Sequence, residues 1–319
     1  MTHWDVFNGD ADGLCALQQL RLAEPLDAQI VTGVKRDNAL LARVAAAPGD
    51  AVTALDISLD PNRPALLVLL ERGVRVRYID HHYAGEIPVH PLLDCRIDPA
   101  PEVCTSAIAD RLLDGRFRAW AVVGAFGDNL SATAHRLALS LGLDGAAVAL
   151  LKELGESLNY NAYGTTEADL VYAPADLHRM LRGYADPLAC IAREPVFARL
   201  KQARAADMED ALAVPPLMDR RGCTAHRLPD RAWSRRVIGS FANHLAGVDP
   251  RRAHAVIVPN GRGSLMVSLR MPAGSENSAD EVCRRFGGGG RRIAAGIDHL
   301  DASGLDDFLA ALEAACTAV

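Results

Sequence analysis

Four short apolar runs, His3 to Asn8, Ala28 to Thr32, Ala51 to Ile57 and Val74 to Ile79, alternate with stretches of helical Leu and Ala spacing. Those stretches are Leu14 to Ala23, Ala39 to Ala46 and Asn62 to Arg72. The rhythm restricts this part of the chain to a parallel sheet with helices on both faces, because parallel neighbours need a long crossover between them. In such open sheets ligands collect beyond the carboxyl ends of the strands. The acids stand there: Asp10, Asp12, Asp56 and Asp80 each close or follow a run, and His81 and His82 come directly after Asp80.

Gly127-Asp128-Asn129, at the end of a later apolar stretch, adds a fifth carboxylate. Five acids and two imidazoles brought to one sheet edge are electrostatically untenable unless cations sit among them, since each buried anion carries a large desolvation cost. Oxygen-rich ligation with one or two imidazoles suits Mn²⁺, Mg²⁺ or a related divalent ion. The chain reads first as a metal-dependent enzyme.

After Pro99 and Pro101 the pattern turns helical, through Thr105 to Leu113, Arg118 to Phe126 and two further stretches ending near Leu158. Asn159 to Gly164 reads as a turn, Asp176 to Arg182 as a short helix and Pro187 to Met208 as a connecting helix, with Pro215-Pro216 a break. The remainder is a smaller α/β module. Its strands are expected near Thr224 to Leu228, Ala253 to Val258 and Leu265 to Arg270, its helices over Ala232 to Ala246, Ala279 to Arg285 and Gly304 to Cys316, and a glycine run covers 287–290. The expected division is 1–185, a helical connector 186–216, and 217–319, with a cleft between the two domains.

The 319 residues suffice for two cores. A net charge of −6 argues against bulk coating of nucleic acid, although from residue 220 onward fourteen arginines face ten carboxylates. Lysine occurs only at 35, 152 and 201, so the arginine count partly reflects compositional bias. The seven cysteines form no CxxC pair and are odd in number, which disfavours a disulfide framework and a zinc–thiolate site. The N-terminus lacks a basic and then apolar leader, and no uninterrupted apolar stretch has membrane-spanning length, so a cytoplasmic protein without membrane contact is expected. Homodimer formation stays open.

The order Asp10-x-Asp12 in a Gly-flanked loop, Asp56 closing a second strand, Asp80-His81-His82 closing a third and Gly127-Asp128-Asn129 resembles the four signature motifs of the DHH phosphoesterase family. Gly288-Gly289-Gly290-Arg291-Arg292-Ile293-Ala294-Ala295-Gly296 resembles the glycine-rich signature of its associated C-terminal domain. The resemblance implies two divalent cations, usually manganese: Asp56 bridging them, Asp10 serving one, and Asp12, His81 and Asp128 serving the other. Asp80 reads as a group that orients an imidazole, His81 in first place, or a nearby Lys or Arg, and His82 reads as a phosphate contact or a proton donor to the leaving oxygen. His82 is expected to point away from His81 if the strand continues past Asp80. Ser268 and Arg270 match a Ser-x-Arg segment whose arginine reaches substrate, and Gly288, Gly289, Gly290 and Arg291 match a phosphate-binding nest.

Two departures stand out. Many members carry a His four residues before the first motif acid, where this chain has Val6, so one cation loses an imidazole or depends on another donor such as Asn8. The His that usually follows the three glycines is Arg291, which binds phosphate but cannot donate a proton near neutrality. Lys35-Arg36 reads equally well as a phosphate contact and as a solvated strand end. The implied activity is hydrolysis of short oligonucleotides or dinucleotides by attack of a metal-bound hydroxide on phosphorus. The rival readings are a polyphosphate, pyrophosphate or phosphoadenosine phosphate hydrolase, and a non-catalytic nucleotide or nucleic-acid binding protein.

Overall fold

Residues 1–316 are described in a computed structural model. By its contacts the chain forms two units, residues 1–162 with 171–201, and residues 163–170 with 202–319.

The first unit is built on five parallel strands, β1 (His3–Asn8), β2 (Ala28–Gly33), β3 (Ala51–Leu55), β4 (Arg75–Asp80) and β5 (Leu93–Ile97), in the order β2-β1-β3-β4-β5. The order reverses between β1 and β3, so the loops leaving these strands diverge and open a crevice at their carboxyl ends. Successive side chains in the central strands alternate between two cores. Phe7, Leu55 and Ile79 pack with α1 (Ala11–Ala23), α3 (Thr105–Leu112), α4 (Arg118–Gly127) and α6 (Gly145–Ala162). Val6, Ala54 and Tyr78 pack on the other face with α2 (Leu59–Glu71). Each fully buried Leu or Phe contributes about 1.5–3 kcal/mol, so helices on both faces follow from apolar residues on both faces. Helix α1 is buried along its length from Ala11 to Arg21, as a helix covered by α3, α4 and α6 must be.

Several local expectations are corrected. Residues 39–46 form only a 3₁₀ turn over Leu40–Arg43, because its two buried leucines already cover that side of the core. β5 lay outside the four apolar runs: as an edge strand with alternating burial it has no continuous hydrophobic signal. Asn159 continues α6 instead of opening a turn. α5 (Ser131–Ser140) and α7 (Pro174–Leu181) complete this part, and the connecting helix is two, α8 (Pro187–Arg193) and α9 (Pro195–Leu212), divided where Pro195 cannot continue the ladder of α8.

The second unit carries a mixed sheet ordered β10-β11-β9-β8-β7-β6, from β6 (Met218–Arg220), β7 (Cys223–Arg227), β8 (Ala253–Pro259), β9 (Ser264–Arg270), β10 (Gly289–Arg291) and β11 (Ala294–Asp301). Its helices are α10 (Ala232–Val248), α11 (Ala279–Arg284) and α12 (Leu305–Cys316). Residues 163–170 belong here because charge pairs hold them. Arg235 meets Asp169 at 2.9 Å, Arg236 donates to the Asp169 carbonyl at 2.7 Å, and Thr165 donates to the Asn260 carbonyl at 3.0 Å. Among the described residues no helix is long and apolar enough to cross a membrane.

Candidate metal centre

β1 ends at Asn8, and the next turn must send the chain back as α1. Asp10 caps that helix: its Oδ1 accepts from the N–H groups of Asp12 (3.0 Å) and Gly13 (3.1 Å), which aims the Asp12 side chain outward from the first turn. Asp12 is then gripped by the start of α3, whose Thr105 and Ser106 N–H groups donate to its two oxygens at 2.7 and 2.8 Å. Two orphan donors of a helix N-terminus therefore hold one carboxylate. Gly124 of α4 permits the grip, since a Cβ there would lie 2.2 Å from Ser106 Oγ and 3.2 Å from Asp12 Oδ1.

Asp56 follows β3 with φ of 59°, in the left-handed region that costs a non-glycine residue about 1–2 kcal/mol. This conformation ends the strand. Its carboxylate accepts from Thr105 Oγ1 at 2.9 Å and lies 3.5 Å from His81 Nε2. His81 turns Nδ1 to the carbonyl of Val103 at 2.9 Å, so Nδ1 donates to that carbonyl and Nε2 is the ring nitrogen that faces the acids. Asp12 and Asp128 stand 4.0 and 3.9 Å from the same Nε2.

β4 stops at Asp80, so strand alternation does not carry on to the two histidines. Their rings lie 4.4 Å apart, and donor atoms of Asp56, His81 and His82 fall within 4.8 Å of one another, which corrects the expectation that His82 points away. The imidazole that Asp80 orients is His82, through a 2.7 Å bond to Nδ1, while the backbone at Val103 orients His81. Asp80 is fully buried, whereas the His82 side chain is 44 % exposed and keeps Nε2 available.

The electrostatics are those of crowded anions. Burial, and then the charges of Asp10, Asp12, Asp80 and Asp128, push the Asp56 carboxyl well above the usual range. Burial also raises Asp128, opposed by Lys35 and His81 and reinforced by Asp12 and Asp10. Asp10 behaves differently. Burial would raise it, but the charge and hydrogen bond of Lys35, with bonding from Asp56 and the Gly13 N–H, hold it down at about 2. For His82, burial works against the charge, and the hydrogen bond and charge of Asp80 outweigh it, raising its pKa. A divalent ion would relieve the repulsion at Asp56, and the mixed carboxylate and imidazole donors fit Mn²⁺ or Mg²⁺.

Sequence reasoning missed Thr105, Ser106, the Val103 carbonyl and the inward turn of Lys35. The ammonium of Lys35 pairs with Asp10 Oδ2, lies 3.1 Å from Asn159 Oδ1 and 3.9 Å from Asp128 Oδ1, so Lys35 is not a solvated strand end. One of three lysines in a chain that mostly uses arginine was a usable signal; a backbone carbonyl leaves none.

In the second unit, Arg270 is held by Asn243 Oδ1 at 2.7 Å and Ser268 Oγ at 3.2 Å. Arg270 pairs with Ala294, and Ala294 with Arg291, so both arginines stand on one sheet face, roughly 10 Å apart across a small residue. Gly289, Gly290 and Arg291 form an edge strand in place of an open nest. Gly290, with φ of 151°, is required because a Cβ would lie 2.5 Å from Ala295 Cα.

A profile of the DHHA1 domain matches residues 222–318. The C-terminal region of this chain is a DHHA1 domain. The whole chain is similar to the exonuclease RecJ bound to manganese, at 20 % identity and a TM-score of 0.64, over 100 % of this chain and 90 % of that one. Against RecJ in complex with Mn²⁺ from Thermus thermophilus the TM-score is 0.69 at 20 % identity, over 100 % of this chain and 52 % of that one, so this chain spans about half its length. The pGpG-specific phosphodiesterase PggH from Vibrio cholerae gives 0.54 at 12 % identity, over 100 % and 99 % of the two chains. No curated protein sequence matches. At these identities the shared property is the fold, an α/β unit with a parallel sheet followed by the DHHA1 domain, as the sequence motifs implied.

Proposed function

We propose that this chain is a divalent-cation-dependent phosphodiesterase that hydrolyses short oligonucleotides or linear dinucleotides. One observation carries the reading: Asp12, Asp56 and Asp128 surround His81 Nε2 at 3.5–4.0 Å, and the Nδ1 of that ring is fixed on Val103. Asp12, Asp56, His81 and Asp128 would hold a divalent cation, which when bound would supply a Lewis acid for a water and a phosphoryl oxygen.

The protein groups do the rest. Thr105 and Ser106 keep Asp12 and Asp56 in position without contributing charge of their own. His82, exposed and held by Asp80, meets the phosphate or gives a proton to the leaving oxygen. Arg270 and Arg291 of the DHHA1 domain bind phosphate, Ser268 and Asn243 fixing the plane of the Arg270 guanidinium. The resemblance implies a second cation on Asp10 and Asp56, where Lys35 competes for Asp10.

The net charge of −6 disfavours long-polymer tracking, and the activity named for the Vibrio cholerae protein supports a linear dinucleotide as the first substrate to try. Purified protein with Mn²⁺ is expected to hydrolyse pGpG or a short oligonucleotide, and to stop when EDTA removes the ion or when Asp56→Asn or His81→Ala is introduced. Hydrolysis of pyrophosphate but not of dinucleotides would replace this reading with the rival hydrolase. Metal binding with no turnover on any phosphoester would replace it with a binding protein.

A further inference from the structure

We infer that the centre takes one divalent cation, and that Lys35 stands permanently in the place of the second. The inference deepens the reading above and rests on it for the identity of the first cation.

The donors expected for the second ion are already committed. Val6, where an imidazole would stand, is fully buried in the core beneath α2 and has no donor atom. Asn8, the substitute donor, is consumed by the backbone: its Oδ1 accepts from the Asp10 N–H at 3.2 Å, and its Nδ2 donates to the Lys35 carbonyl at 3.1 Å. Asp10 differs from Asp12, whose two oxygens also take helix N–H groups, in that one of its oxygens faces a cation. Oδ1 takes two helix N–H groups, and Oδ2 takes the Lys35 ammonium.

Lys35 is not a flexible chain that happens to lean inward. Its carbonyl is held by Asn8, and its N–H donates to the Ala162 carbonyl at 2.9 Å, so its backbone is pinned between β1 and the end of α6. From there the ammonium reaches Asp10 and Asn159 and lies 3.9 Å from Asp128. The same element that supplies Ala162 supplies Asn159, so a single helix end fixes both the backbone and the head group.

Chemistry separates the two halves of the cluster. Around His81 Nε2 are three carboxylates at 3.5–4.0 Å, a donor set that a dication would satisfy. Around Asp10 the Lys35 ammonium, itself held by Asn159, and two backbone donors already offset the carboxylate charge. An ammonium beside Asp10 also repels any dication placed there. The lysine thus does electrostatically what a second ion would do, holding the anions together, and cannot be lost to chelation.

The test counts metal. Apo-protein is titrated with Mn²⁺ by calorimetry, bound manganese is measured after desalting, and the electron paramagnetic resonance spectrum of the loaded protein is recorded. One equivalent per chain with an uncoupled six-line signal is expected. Two equivalents with an exchange-coupled signal would overturn the inference, and so would none. The combined variant Val6→His, Lys35→Ala is expected to bind a second equivalent and to show coupling; a count that stays at one in the folded variant would remove Lys35 as the cause. If that variant does not fold, the wild-type count decides. Because stoichiometry does not depend on turnover, one bound ion without dinucleotide hydrolysis would leave this inference standing and remove the proposed activity.

Discussion

Thr105 places two bonds on the acids of the centre, a hydroxyl on Asp56 and a backbone N–H on Asp12, without carrying charge. Thr105→Val removes the hydroxyl and keeps the N–H and the shape. Groups that orient metal ligands typically account for 10–100-fold in affinity, so Mn²⁺ binding is expected to weaken by about 10-fold with the fold intact, as calorimetry would measure. An unchanged affinity would show that the left-handed turn at Asp56 positions that carboxylate unaided. His178 tests a buried group outside the centre. Burial is the main force lowering its pKa, to about 4, with Asp5 opposing and Arg182, Arg21 and Arg179 assisting. Because the native value lies below the unfolded value of about 6.5, the unfolded chain binds the extra proton, and stability is lost as pH falls from 6.5 towards 4. The loss is at most about 3–4 kcal/mol at 1.36 kcal/mol per pH unit. Urea unfolding at pH 7 and pH 4.5 would measure it, and His178→Gln is expected to flatten that part of the dependence.

At the level of elements, the site depends on α4 lying close enough to press the start of α3 onto Asp12. Gly124→Ala puts a methyl 2.2 Å from the present position of Ser106 Oγ, and α3 cannot retreat from it without breaking its two N–H bonds to Asp12. Overpacking of this kind costs about 1–3 kcal/mol. A lowered melting temperature together with a smaller Mn²⁺-induced increase is expected. A melting temperature that falls while the Mn²⁺-induced increase is fully retained would separate packing from the centre. α1 shows the converse economy: one residue, Asp10, both starts the helix and stands among the acids.

At the level of the whole molecule, each candidate ligand belongs to the first unit, between Asp10 and Asp128, whereas Ser268, Arg270 and Arg291 belong to the DHHA1 domain. Cation binding stabilises what it binds, by about 2.7 kcal/mol at a hundredfold excess over Kd. Hydrogen exchange with and without Mn²⁺ is therefore expected to gain protection in peptides covering the ends of β1, β3 and β4 and the start of α3. Equal gains in β8 and β9 would show that metal binding orders both units together.

The sequence by itself determined the sheet, its direction, the DHHA1 domain and the positions of the acids, because apolar periodicity and motif order are local and survive without coordinates. It supplied Asp10, Asp12, Asp56, His81, His82 and Asp128 as one cluster, and Ser268 beside Arg270. Tertiary structure alone decided the partnerships. Which imidazole Asp80 meets depended on where β4 stops, a backbone event at a single residue. Thr105, Ser106 and Val103 entered because a helix start from 93 residues beyond Asp12 folds back onto it, and backbone donors carry no side-chain signature. Lys35 faces inward because Asn8 and Ala162 fix its backbone, contacts made across 27 and 127 residues that no local pattern records.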